Sequence, residues 1–122
     1  MTRTRASAKS AGTAFETLLA TGLARHLDDD RIERRTLTGA RDRGDIAGVR
    51  TPTGGRVVIE AKDHGGKYDV GTWLREAETE RVNDGADVGV VVAKRRTYTD
   101  PLDQVVLMTV RDLVCLLDGV RP

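Results

Sequence analysis

"RDRGDIAGVRTPTGGRVVIEAKDHGG", residues 41 to 66, decides how the chain is read. Two short apolar segments, 45 to 50 and 56 to 62, flank "TPTGG", where Pro52 fixes one turn dihedral and the Gly54-Gly55 pair supplies positive φ. That pattern predicts a β-hairpin, and among the charges inside it Asp45, Glu60 and Lys62 are the odd ones. Side chains alternate along a strand, so Val58, Glu60 and Lys62 share one face while Val57, Ile59 and Ala61 share the other. A turn that pairs Arg50 with Gly55 sets Asp45 opposite Glu60 on the same face. Two carboxylates so placed repel and resist ionisation unless a cation sits between them. Hard oxygen ligands, few in number, with positions left for water and phosphate oxygens, describe a Mg²⁺ site of the phosphoryl-transfer kind, at which Mn²⁺ would substitute. Lys62 beside it would orient or help activate a water and stabilise charge on an attacked phosphate.

Outward from the hairpin the periodicities change. Upstream, Phe15, Leu18, Leu19, Leu23 and Leu27 recur at three and four, which predicts an amphipathic helix from Ser10 to Leu27 behind a mobile basic arm at 1 to 9. "DDDRIERRTL" leads into a strand near 32 to 38. Downstream, "GTWLREAETERVNDGAD" predicts a helix with Thr72 as N-cap and Gly85 as stop. "VGVVVAK" is the short β-branched run of a strand covered on both faces, "QVVLMTV" a last strand, and "VRDLVCLLDG" a C-terminal helix closed by Gly119. Strands before and after a crossover helix make an α/β fold, a mixed β-sheet flanked by helices, in a single domain over 10 to 122.

Composition narrows the classes of function. A chain of 122 residues buries roughly two-thirds of the surface it exposes when unfolded, enough for one core. The lone cysteine, Cys115, excludes an intramolecular disulfide, a Cys-based zinc knuckle and a redox pair, and reads as a core residue within "LVCLL". No run approaches the ~20 apolar residues of a membrane helix and no signal peptide is visible, so a soluble, intracellular, cytoplasmic protein without a membrane partner is expected. Net charge is only +1, but the basic residues cluster: Arg3, Arg5 and Lys9, then Arg41 and Arg43, then Lys94, Arg95 and Arg96. Such clusters suit phosphate backbones. Few aromatics are present, one Trp, two Tyr and one Phe, so the broad stacking surfaces of single-strand or RNA-recognition modules are poorly supplied.

Gly44-Asp45, a hairpin, then Glu60-Ala61-Lys62 resembles the PD-(D/E)XK nuclease motif. Upstream, Gly12 and Glu16 in "GTAFETLL" resemble the first-helix Gly-x-x-x-Glu of the archaeal-type Holliday junction resolvases in that superfamily. The resemblance spans most of 10 to 96 and implies a restriction-endonuclease-like fold and a Mg²⁺-dependent endonuclease. Asp45 and Glu60 would hold the metal, the Ala61 carbonyl would add a ligand, Lys62 would serve the water, and Glu16 would approach from the first helix. It further implies DNA as partner, four-way junctions above all, in recombination or repair, and a homodimer to place two symmetric nicks. The family's later glutamine or tyrosine elements are not matched, since "WLREAETE" offers glutamates.

Plainer readings stand beside these. Glu-x-Lys on a strand can be a salt-bridged surface, and Asp after Gly a turn residue. Glu16 also completes a capping box begun at Thr13. His64 suits a solvated loop, Trp73 a core or interface anchor, and Lys94-Arg95-Arg96 a solvated strand end as well as a DNA contact. A restriction-like, flap or repair nuclease keeps the same chemistry on another substrate, and a non-catalytic DNA-binding module keeps the fold alone.

Overall fold

The computed structural model describes residues 3 to 36 and 43 to 122. Five strands form one sheet in the spatial order β1-β2-β3-β4-β5: Glu33–Arg34, Ile46–Ala47, Val57–Lys62, Val88–Ala93 and Val105–Leu107. Helix α1 (Arg5–His26) precedes the sheet, α2 (Val70–Asp84) connects β3 to β4, and α3 (Val110–Asp118) closes the chain after a short 3₁₀ turn at Pro101–Asp103. The α2 crossover makes β3 and β4 parallel, from Val57 opposite Val88 to Lys62 opposite Ala93, and all other neighbours are antiparallel. The predicted mixed α/β sheet with helices is the observed architecture.

Two layers cover the sheet. Val57, Ile59, Val88, Val90 and Val92 pack with Ile46 against Phe15 and Leu19 of α1 and Cys115 of α3. On the other face Val91 and Ala93 pack against Trp73 and Ala77 of α2. Every residue of β4 is buried, as the unbroken β-branched run predicts. Gly89 admits α2 closely, since a Cβ there would meet the Ala77 carbonyl oxygen at 3.0 Å.

Helix boundaries differ from the sequence reading at both N-termini. α1 begins at Arg5, because the Thr4 side chain accepts the Ser7 N–H and caps the helix. Arg5 to Lys9 are therefore helical rather than a mobile arm, and Glu16 lies mid-helix, which removes its capping-box role. Asp69, not Thr72, occupies the N-cap position of α2, while Gly85 and Gly119 close α2 and α3 as expected. The first strand is confined to Glu33–Arg34; residues 37 and 38 lie outside the described residues.

The hairpin carries an irregularity that fixes the site. Arg50 pairs with Arg56, not Gly55, yet Ile46 pairs with Ile59. One strand thus uses an additional residue between these pairs, a β-bulge at Ala47–Val49 where Gly48 has φ 89°. Continuing the Arg50–Arg56 register without it would turn Asp45 to the opposite face from Glu60. The bulge restores the facing arrangement that an Arg50–Gly55 turn register predicts.

Candidate active site

Asp45, Glu60 and Lys62 converge on the α2 side of the sheet, where β2 meets β3. Asp45 is anchored through both main chain and side chain: its N–H donates to the Ile59 carbonyl at 2.8 Å, and its Oδ2 accepts the Ala61 N–H at 2.8 Å. Glu60 is 8% exposed, and its Oε2 is buried without a hydrogen-bond donor among the described residues. Its Oε1 lies 3.6 Å from Lys62 Nζ, whose tighter partner is Glu76 Oε2 of α2 at 2.7 Å.

Burial, then the neighbouring Glu60 charge, push the Asp45 carboxyl up to about 8, against the pull of the Ala61 N–H; the charge of Glu16 adds to the push. A proton on Asp45 would supply the donor that Glu60 Oε2 lacks. Lys62 is held above the ordinary lysine value: burial works against its charge, but the hydrogen bond to Glu76 and the charges of Glu60 and Glu76 outweigh it. Lys62 is therefore an ammonium at neutral pH, suited to stabilising negative charge rather than to accepting a proton.

The raised Asp45 value makes stability depend on pH. The folded chain keeps a proton that the unfolded chain releases above about pH 4, so this stabilisation is complete below that pH and is lost as pH rises through about 8. Without metal, the melting temperature of the parent is expected to fall across that window. Asp45→Asn, neutral throughout, should fall less and be more stable than the parent at pH 8.5 by on the order of a few kcal/mol. Parallel melting curves for the two proteins would show that Asp45 is ionised in the folded state.

A divalent ion would suit the pair, because beside half-buried Asp45 the buried Glu60 Oε2 has no donor among the described residues. Among the described residues no group of three or more His, Cys, Asp or Glu is gathered to hold a metal. An ion at Asp45 and Glu60 would thus complete its shell with main-chain carbonyl, water or phosphate oxygens.

The remaining predicted residues are dispersed around this centre. Glu16 is on α1, in the opposite layer, and its Oε2 accepts from Arg34 Nε at 2.7 Å; it reaches Asp45 as a charge and not as a contact. Arg3 is committed to Asp63, with hydrogen bonds of 2.8 Å to its carbonyl and 3.1 Å to Oδ1. Arg5, Arg43 and Arg96 are exposed, and Arg41 lies outside the described residues. Lys94 Nζ donates to the Arg95 carbonyl at 2.7 Å and also to that of Tyr98, so it clamps its own loop. Arg95 donates to the Asp103 carbonyl at 3.1 Å. Trp73, 4% exposed, belongs to the core under α2 and is unavailable as an interface anchor. Glu76 was missed as the partner of Lys62, although its place three residues after Trp73, one helical turn along the face of α2 that packs on the sheet, was a usable signal.

No family model, no curated protein and no solved structure matches this chain. The candidate site therefore rests on the chain's own residues.

Proposed function

We propose that this protein is a metal-dependent, structure-specific DNA endonuclease, a resolvase of four-way junctions acting in recombination or repair. The observation that carries the reading is the pairing of half-buried Asp45 with buried Glu60, built into a hairpin with Lys62 beside it and a Glu60 oxygen that has no donor among the described residues. When bound, Mg²⁺ would supply charge neutralisation at the phosphate and a more acidic water. Asp45 and Glu60 would hold it, the Ala61 carbonyl would add a main-chain ligand, and Mn²⁺ would occupy the same oxygens. Lys62 presents its ammonium to the attacked phosphate, and Glu76 holds that ammonium in place.

A two-fold homodimer is the economical way to nick opposing strands symmetrically. Support comes from α3, whose Val110, Leu113, Val114 and Leu117, spaced at three and four along the helix, are 75%, 40%, 39% and 78% exposed. Such an exposed apolar helix face suits an interface between copies.

The test is Mg²⁺-dependent nicking of a labelled four-way junction against a linear duplex of the same arms, with sedimentation at micromolar concentration. Symmetric nicking confined to the junction by a dimer is expected. Equal cutting of linear duplex by a monomer would transfer the reading to a restriction-like, flap or repair nuclease. A shift in DNA mobility without fragments would reduce it to a binding module.

A further inference from the structure

The loops that leave the C-terminal ends of β3 and β4 run side by side next to Lys62. The Lys94 N–H donates to the Lys62 carbonyl at 2.8 Å, Tyr68 Oη lies 3.5 Å from the Lys94 carbonyl, and a Cβ at Gly66 would meet Arg96 Cβ at 3.1 Å. Both tyrosines of the chain are here, 41% and 40% exposed, whereas Phe15 and Trp73 are buried. The aromatic supply is small, and its whole exposed share borders the candidate site.

These side chains are held, not loose. Trp73 braces the first loop, with the His64 ring edge-on at 5.1 Å and the Tyr68 ring tilted at 5.8 Å. In the second loop the Arg95 guanidinium lies 3.6 Å from the centre of the Tyr98 ring. Gln104 accepts the Arg95 N–H at 2.7 Å and donates to the carbonyls of Tyr98 and Asp100 at 3.1 and 2.8 Å. Thr97, between Arg96 and Tyr98, is kept at φ 71°, a conformation unfavourable for a β-branched residue that the surrounding bonds must hold. Lys67 and Arg96 are exposed at the rim. Of the nearby carboxylates, Asp63 is engaged by Arg3, Asp100 accepts the Leu102 N–H, and Asp69 stands at the start of α2.

Rigid, exposed rings flanked by cations are what unstacked bases require: every base has a face to stack, and the adjoining phosphates need positive charge. We propose that this two-loop platform stacks the destacked bases at a DNA branch point, on Tyr98 with Arg95 and on Tyr68, while Lys67 and Arg96 take the flanking phosphates. The inference rests on the nuclease reading, since the platform would select branched over continuous duplex for the adjacent site.

The test uses full-length Glu60→Gln without divalent ion, so that binding is read without cleavage. A four-way junction carries 2-aminopurine either at the branch point or within an arm. Quenching on binding at the branch point but not in the arm is expected. Tyr68→Leu and Tyr98→Leu should each weaken junction binding about tenfold and remove the quench, with linear-duplex binding unchanged, while Tyr68→Phe and Tyr98→Phe retain both. Equal signals at the two probe positions, leucine variants indistinguishable from the parent, or tighter binding to an RNA junction of the same shape would each overturn the platform. If the unsubstituted protein with Mg²⁺ cuts the junction and any of these holds, the platform alone fails; if the chain neither binds nor cuts DNA, the nuclease reading fails with it.

Discussion

Glu60→Gln is expected to lower junction cleavage by about 10³-fold or more while DNA binding holds or tightens, and Asp45→Asn to do the same. The substitutions keep shape and remove charge. A glutamine in place of Glu60 would still fill the space under α2, and the amide oxygen of an asparagine in place of Asp45 could still accept the Ala61 N–H that now reaches Oδ2 at 2.8 Å. What disappears is the pair of anionic oxygens that would hold the ion and neutralise the phosphate through it. Binding should not suffer, because Glu60→Gln withdraws a negative charge from beside the DNA backbone and Asp45→Asn replaces a carboxyl that without an ion already keeps its proton at neutral pH. Melting curves and cleavage are measured on the same samples: an intact fold with lost cleavage is the expected combination. A Glu60→Gln protein that cuts at the parental rate would remove Glu60, and with it the site, from the chemistry.

Gly48→Ala is expected to cost roughly 3 kcal/mol or more in stability and to impair cleavage even in the molecules that remain folded. Gly48 has φ 89°, and a Cβ there would lie 2.3 Å from the Arg31 carbonyl oxygen and 2.7 Å from its carbon. The obstacle is main chain, which cannot swing aside as a flexible side chain would. The strand must then move or lose its bulge, and without the bulge Asp45 no longer faces Glu60. Gly48→Asn separates the two causes. Asparagine tolerates positive φ better than alanine, so a partial rescue would indicate backbone conformation, whereas an equal loss would indicate crowding against Arg31. Urea unfolding of the two variants provides the comparison, and a Gly48→Ala protein as stable as the parent would contradict the crowding.

Legibility in the sequence followed the physics of each element. The alternation in "VVIEAK" put Glu60 and Lys62 on one face, the run in "VGVVVAK" announced a strand buried on both sides, and Cys115 sat in an apolar core, because burial leaves periodicity behind. Thr4 was not read as a cap because the residues after it, "RASAKS", lack the apolar stripe by which a helix is usually seen; their helicity depends on local propensity and a cap, not on burial. The bulge was invisible because a single glycine within a strand pattern does not announce a changed register. The internal engagement of Lys94 and Arg3 was equally hidden. A cationic head looks free in a sequence until the carbonyl or carboxylate it meets, from a turn or from sixty residues away, is placed.

The site residues Asp45, Glu60 and Lys62 all belong to one hairpin, whereas β4 joins β3 only after α2 has crossed. Closing so short a loop costs little chain entropy, and hairpins form within microseconds, well before a parallel pairing across a helix is required. A growing chain can therefore bring the two carboxylates together before the elements that later bury them are in place. At neutral pH the preference of Asp45 for its proton in the folded protein relieves that meeting of like charges. Folding then does not wait for an ion, and uptake of a cation at the proposed site would be a separate and later event in the life of the molecule.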